Sequence, residues 1–189
     1  MKRLSVLILA AVAALGLITA AQTNGIPERF VALAVNMNNG GSGTIEMTVN
    51  RWSTEAERLR LVTILMEQGP QKLLDVLEDM PRAGYIRSAG GIGYDLHYAQ
   101  RMQGPDGGER VVLATNRPIG FWEASNRPRS FDYPFTVIEL RLNGDGEGEG
   151  KLSLATRITA DAESKIVTLE NYETQPVMLT NVKSERISQ

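Results

Sequence analysis

The chain has no cysteine. That absence removes disulfides, thiol nucleophiles, thiolate zinc sites and a lipobox cysteine for lipid attachment. It has a single histidine, His97. One imidazole without thiolates supplies too few ligands for a histidine-based transition-metal centre. An excess of basic charge is also missing: 20 Lys and Arg stand against 22 Asp and Glu, a formal net charge of −2. This balance disfavours nonspecific nucleic-acid binding and an anionic membrane surface as the main partner. No glycine cluster leads into a helix with the residues that cradle phosphates or a dinucleotide. No Gly-x-Ser-x-Gly elbow is present either, since Gly40-Gly41-Ser42-Gly43-Thr44 lacks the last glycine. The expectation is a chain without a cofactor and without a metal.

What is there begins with a leader. Lys2 and Arg3 are followed by an almost unbroken apolar run over 4–17, and Thr19-Ala20-Ala21 sets small residues before Gln22. This is the order of n-region, h-region and cleavage site in a secretory signal peptide, in the short form that suits bacterial export. A retained membrane anchor is the rival reading, because residues 4–21 are borderline in length for spanning. The run is rich in Ala, and no basic stop-transfer cluster follows it. The expectation is a signal peptide over 1–21 and a single β-rich domain over 22–189, periplasmic or secreted, with no stable membrane insertion after cleavage. A domain of that size buries a core without disulfides.

The body reads mainly as strands. Residues 30–37 (FVALAVNM) form a continuous apolar run with β-branched members, and a Gly-rich turn follows. Over 44–52 the chain alternates, with Ile45, Met47 and Val49 on one side and Thr44, Glu46, Thr48 and Asn50 on the other. The period then lengthens. Thr54 and Glu57 spell a capping box, and Leu59, Val62, Leu65 and Met66 make a helical stripe. Gly69 supplies a left-handed stop, and Pro70 opens a second stretch with Leu73, Leu74, Leu77 and Met80 on its apolar face. The spacing predicts two short helices over 54–80, packed on a sheet. Further strands are predicted over 85–88, 94–102, 109–116, 135–143, 147–158, 165–172 and 177–185, with short turns that force antiparallel neighbours. The fold class is α+β, predominantly antiparallel β: about nine strands in a barrel-like or strongly curved sheet, with a two-helix insertion after the second strand. An open sheet packed on the helices is the competing architecture. Gly146, Gly148 and Gly150 lie at alternate positions, where glycine permits bending and close backbone approach.

One stretch is unlike the rest. Residues 117–134 (RPIGFWEASNRPRSFDYP) separate two strands without a clean period. Connections of that length are disproportionately functional. Phe121, Trp122, Phe131, Tyr133 and Phe135 gather there with Arg117, Arg127 and Arg129, beside Glu123 and Asp132. Rings in that number sit against apolar surface, because burying each is worth about 2–3 kcal/mol. Two roles follow: a plug that seals one end of the sheet, or a rim that recognises a guest. The rim reading assigns ligand binding to Arg117, Phe121, Trp122, Glu123, Arg127, Arg129, Phe131 and Tyr133.

Catalytic readings have less to stand on. Asp95 and His97 share a strand face, which is half of a triad, with Ser88 or Ser125 as conceivable nucleophiles. An ordinary hydrogen-bonded or surface histidine is the competing reading. The run 143–150 alternates Gly with Asn, Asp and Glu, as calcium loops do, but the twelfth position from Asp145 is Thr156, which cannot bind bidentately. A glycine-rich hairpin explains the same letters. Glu123, Asp132 and Glu139 are the acids nearest the aromatic stretch, should a hydrolytic pair exist. The leading expectation is a noncatalytic module that binds a small ligand or an envelope or extracellular protein. An envelope or extracellular hydrolase, or a structural or accessory protein of an envelope assembly, are the alternatives.

Overall fold

The computed structural model describes residues 27–37, 40–104, 107–119, 132–161, 166–171 and 175–187. The expected leader over 1–21 lies outside them. In chain order the elements are β1 (Glu28–Val35), β2 (Ser42–Val49), α1 (Glu55–Glu78), β3 (Gly84–Ser88), β4 (Tyr94–Leu96), β5 (Tyr98–Gln103), β6 (Glu109–Thr115), β7 (Phe135–Leu142), β8 (Glu147–Asp161), β9 (Ile166–Asn171) and β10 (Val177–Arg186). All ten strands join one sheet in the order β4-β3-β2-β1-β10-β8-β7-β6-β5, with β9 pairing β8 off that path. Every pairing is antiparallel.

The two ends of this path are neighbours in the chain. β4 pairs β3 and β5 pairs β6, and only His97 separates β4 from β5. The His97 backbone N–H donates to Ala114 O on β6 at 3.0 Å, while Leu96 O accepts from Ala83 N at 2.6 Å. The sequence predicts one strand over 94–102. It is two, because a chain that holds β3 on one stretch and β6 on the next must turn a corner between them. The corner brings the sheet round into a nearly closed barrel, which leaves few unpaired edges.

The interior is filled by side chains: Phe30, Met47, Ile86, Leu113, Leu140 and Leu152 are fully buried there. Ile45, Met47 and Val49 point inward, as the alternation over 44–52 requires. Ile119, just beyond β6, is also fully buried against this core. Its N–H donates to both Leu154 O and Thr136 Oγ1 at 3.0 Å.

The expected pair of helices is one helix, α1, interrupted only at Gly69 (φ 81°), with no separate loop. The capping box forms as read: Glu57 N donates to Thr54 Oγ1 at 3.1 Å, and Thr54 N donates to Glu57 Oε2 at 2.7 Å. A straight helix of 24 residues would be about 36 Å long. Yet Arg51 donates to Glu57 near the start of α1, and also to Pro81 O beyond its end, at 3.1 Å. The left-handed residue therefore folds the helix back on itself. The buried side chains of α1 are Leu61, Leu65, Leu73, Val76 and Leu77. Leu59, expected on the apolar stripe, is exposed. Leu61 is buried instead, beside Leu65 of the predicted stripe, because the face that the first turns lay against the sheet is rotated about a quarter turn from the predicted one.

The run over 143–150 is the β7–β8 hairpin. Asn143 Oδ1 accepts from the backbone N–H of Asp145 and of Glu147, both at 3.0 Å, and the Glu147 carboxylate pairs with Lys183 at 2.9 Å. The glycines beyond it permit close approach to β7, as expected. A Cβ on Gly148 would stand 1.9 Å from Arg141 O, and one on Gly150 would stand 2.5 Å from Glu139 O, whereas at Gly144 it would meet nothing. Gly148→Ala should therefore cost about 3 kcal/mol in chemical denaturation, and Gly144→Ala should stay within about 0.5 kcal/mol of the native protein. Equal effects would contradict the proposed approach of β7 to β8.

Candidate functional site

The site arises from the length of β8. Its first part belongs to the barrel, held by β7 and β10. Its last part, from Thr156 to Asp161, pairs with β9. Between them the register shifts: Val137 pairs Ser153, but Phe135 pairs Thr156, so three steps along β8 match two along β7. An inserted residue flips the faces that follow. Leu152 and Leu154 pack into the barrel, but Ile158 and Ala160 pack with Phe135, Val137 and the helix. β8 and β9 thus leave the barrel as a two-stranded arm, and its apolar face looks towards α1.

Arm, helix and barrel wall leave an apolar cleft of about 330 Å³ between them. Leu61, Val62, Leu65, Leu73 and Leu77 form the helix side. Tyr98, Val112, Ala114, Phe135 and Val137, on the outer face of the barrel, form the floor. Ile158, Val167 and Leu169 of the arm form the third side. Val167 and Leu169 are left 44% and 47% exposed. A cleft of this size is at the small end of ligand sites, and its few polar groups are what such sites use to fix orientation.

Those polar groups are Tyr98, Arg58 and Arg110. Burial pushes the Tyr98 phenol up to about 12, so it stays protonated, and its hydroxyl donates to Gln100 Oε1. Arg58 is engaged by Glu55 at 2.9 Å. Arg110 donates to Glu139 Oε2 at 3.1 Å, and Arg141 donates to Glu139 Oε1 at 3.0 Å. Burial alone would raise the Glu139 pKa, but the two arginines outweigh it and hold the carboxyl below its ordinary range. Glu139 is thus a carboxylate at neutral pH and a poor general acid.

The other acid and base candidates are dispersed. Asp95 pairs with Arg82 at 2.8 Å, and His97 Nδ1 lies 3.1 Å from Met80 O, so the two do not form a dyad. The histidine is hydrogen-bonded in the ordinary way. Asp132 is exposed. Among the described residues, no group of three His, Cys, Asp or Glu side chains could hold a metal ion.

Of the residues assigned to a rim, Phe121, Trp122, Glu123, Arg127, Arg129 and Phe131 lie outside the described residues. Arg117 is exposed, and its carbonyl accepts from Thr115 Oγ1 at 2.5 Å and from Thr136 Oγ1 at 3.0 Å. The Tyr133 hydroxyl donates to Glu170 Oε1 on β9 at 2.8 Å, and this bond raises its pKa. Two residues later Phe135 enters the cleft floor. The stretch therefore rejoins the barrel beside the cleft, tied to the arm through Tyr133.

The floor itself was readable. Val111-Val112-Leu113-Ala114 is apolar without alternation, which is what a strand covered on both faces shows. The polar end of the barrel was not readable. There Glu28 is buried, ion-paired with Arg101, and accepts from Ser184 Oγ at 2.6 Å. Arg101 also pairs with Glu109 at 3.3 Å and stacks 4.5 Å from the centre of the Trp52 ring. Nothing in the sequence joins residues so far apart. The cluster is internally paired, and it reads as a seal rather than a receptor. Arg101→Ala would leave the Glu28 carboxylate buried without its cation. It should cost about 3 kcal/mol in urea unfolding; a loss under about 0.5 kcal/mol would show that the seal carries little.

No helix among the described residues is long and apolar enough to cross a membrane. No protein-family model, no curated protein and no solved structure matches this chain.

Proposed function

We propose that this is an exported, noncatalytic binding module that takes a small apolar guest in the cleft between α1, the outer barrel wall and the β8–β9 arm. The observation that carries the reading is the contrast between two apolar regions of one protein. The barrel interior is filled. The second core keeps about 330 Å³ open and leaves Val167 and Leu169 part-exposed on its wall. Leaving apolar surface in water forgoes roughly 25 cal/mol for every Å², so an occupant that covers it is favoured.

The aromatic and arginine stretch belongs to the same reading. It rejoins the barrel at Tyr133 and Phe135, next to the cleft; Phe121, Trp122, Arg127 and Arg129, which lie outside the described residues, are candidates to extend the contact with a guest. The leader over 1–21 supports export to the periplasm or medium. The hydrolase alternative has less support: Glu139 is neutralised by two arginines and His97 is bonded to a backbone carbonyl.

The test is a fluorescence titration with the neutral apolar probe 1-N-phenylnaphthylamine. The native protein should bind it. Leu169→Lys, on the exposed wall, should weaken binding at least about fivefold, while stability stays within about 0.5 kcal/mol. Absence of binding by the native protein, or equal binding by the variant, would overturn the proposal.

A further inference from the structure

Among the described residues, the lining of the cleft carries two guanidinium groups and one protonated phenol, but no carboxylate. We infer that its guest is an amphiphile with a single aliphatic chain and an anionic end, and that Arg110 receives that end. The inference rests on the cleft being a binding site, as proposed above.

Arg110 and Arg58 differ in how far they are neutralised. Arg58 has its own partner, Glu55, held through both the Nε and an Nη at 2.9 Å and 2.5 Å. Arg110 has to share: the single Glu139 carboxylate accepts from Arg110 on one oxygen and from Arg141 on the other. On the same outer face Lys151 stands opposite Glu139 in register, and Glu149 stands opposite Arg141. Three cations thus face two anions, and positive charge is left over where the apolar cleft meets the charged surface. The Arg110 side chain is 50% exposed, so it reaches solvent and can meet a head group without first being dug out of a core. A planar guanidinium suits a carboxylate, which it can hold through two parallel hydrogen bonds.

Size limits the apolar part. About 330 Å³ is at the low end of small-molecule sites, and the cleft is lined by hydrocarbon on three sides. One chain fits that description better than a two-chain lipid. The occupant is therefore a free fatty-acid-like carboxylate, taken from solution rather than met at a bilayer surface.

Displacement of 1-N-phenylnaphthylamine by dodecanoate and by dodecanol, below micelle-forming concentrations, tests this. Dodecanoate should bind about tenfold more tightly than dodecanol, as a charge-assisted contact implies. Arg110→Gln should bring the two to parity by weakening dodecanoate alone, and Arg110→Lys should restore part of the difference. The inference is overturned if dodecanol binds as well as dodecanoate, if Arg110→Gln weakens both equally or neither, or if neither displaces a bound probe. In those outcomes the cleft remains a binding site. A protein that does not bind the probe overturns both proposals. Cosedimentation with phosphatidylglycerol vesicles without dodecanoate binding would also overturn the inference, in favour of a membrane surface.

Discussion

A strand that serves two cores must change the face it presents along the way. In β8 this is done by one extra residue between Ser153 and Thr156, against Phe135 to Val137 on β7. Ahead of it, Leu152 and Leu154 fill the barrel; after it, Ile158 and Ala160 cover the helix. In unbroken register those two residues would lie on the barrel side of the sheet, and α1 would have only the outer faces of β6 and β7 to rest on. The arm, the cleft and the seat of the folded helix all follow from that shift.

The barrel is closed by a second local irregularity, the corner at His97. Its backbone reaches β6 while its ring meets Met80 O at the end of α1. At the start of the helix, Ser53 and Ala99 exchange hydrogen bonds at 2.7 Å and 3.1 Å. Both ends of the helix are therefore fastened to the segment that closes the barrel. The break at Gly69 lies far from those fastenings, where the helix needs only packing to hold it. Gly69 is well suited there, since its positive φ costs glycine little. The cleft lies under the part of α1 that has side-chain packing and no backbone tie to the sheet.

Most of the strands could be read from the chain. Alternation placed Ile45, Met47 and Val49 inward, and turn chemistry placed the boundaries of β6, β7 and β10 within one or two residues of where they are. What could not be read has a common cause. Neither the β8 register shift nor the His97 corner leaves a mark in hydrophobic periodicity, because each is defined by a partner strand distant in the chain. The arm looks like an ordinary hairpin in sequence, and Ile158 keeps the same parity as Leu152 and Leu154 although it faces elsewhere. Ile119 is the opposite case: an isolated apolar residue in an irregular stretch that the barrel core captures. The aromatic residues drew attention to 117–134 as a binding element, whereas the cleft is built mainly of aliphatic residues with no special spelling. Arg110 reads as an ordinary surface charge until its shared carboxylate is seen.

The central claim is that apolar guests enter the space between α1 and the arm rather than the barrel. Intermolecular nuclear Overhauser effects from bound 1-N-phenylnaphthylamine to assigned methyl groups test it most directly. The account predicts contacts to Leu65, Val137 and Leu169, which line the cleft. Contacts to Leu113, Leu140 and Leu152 inside the barrel, or to none of these six, would contradict it.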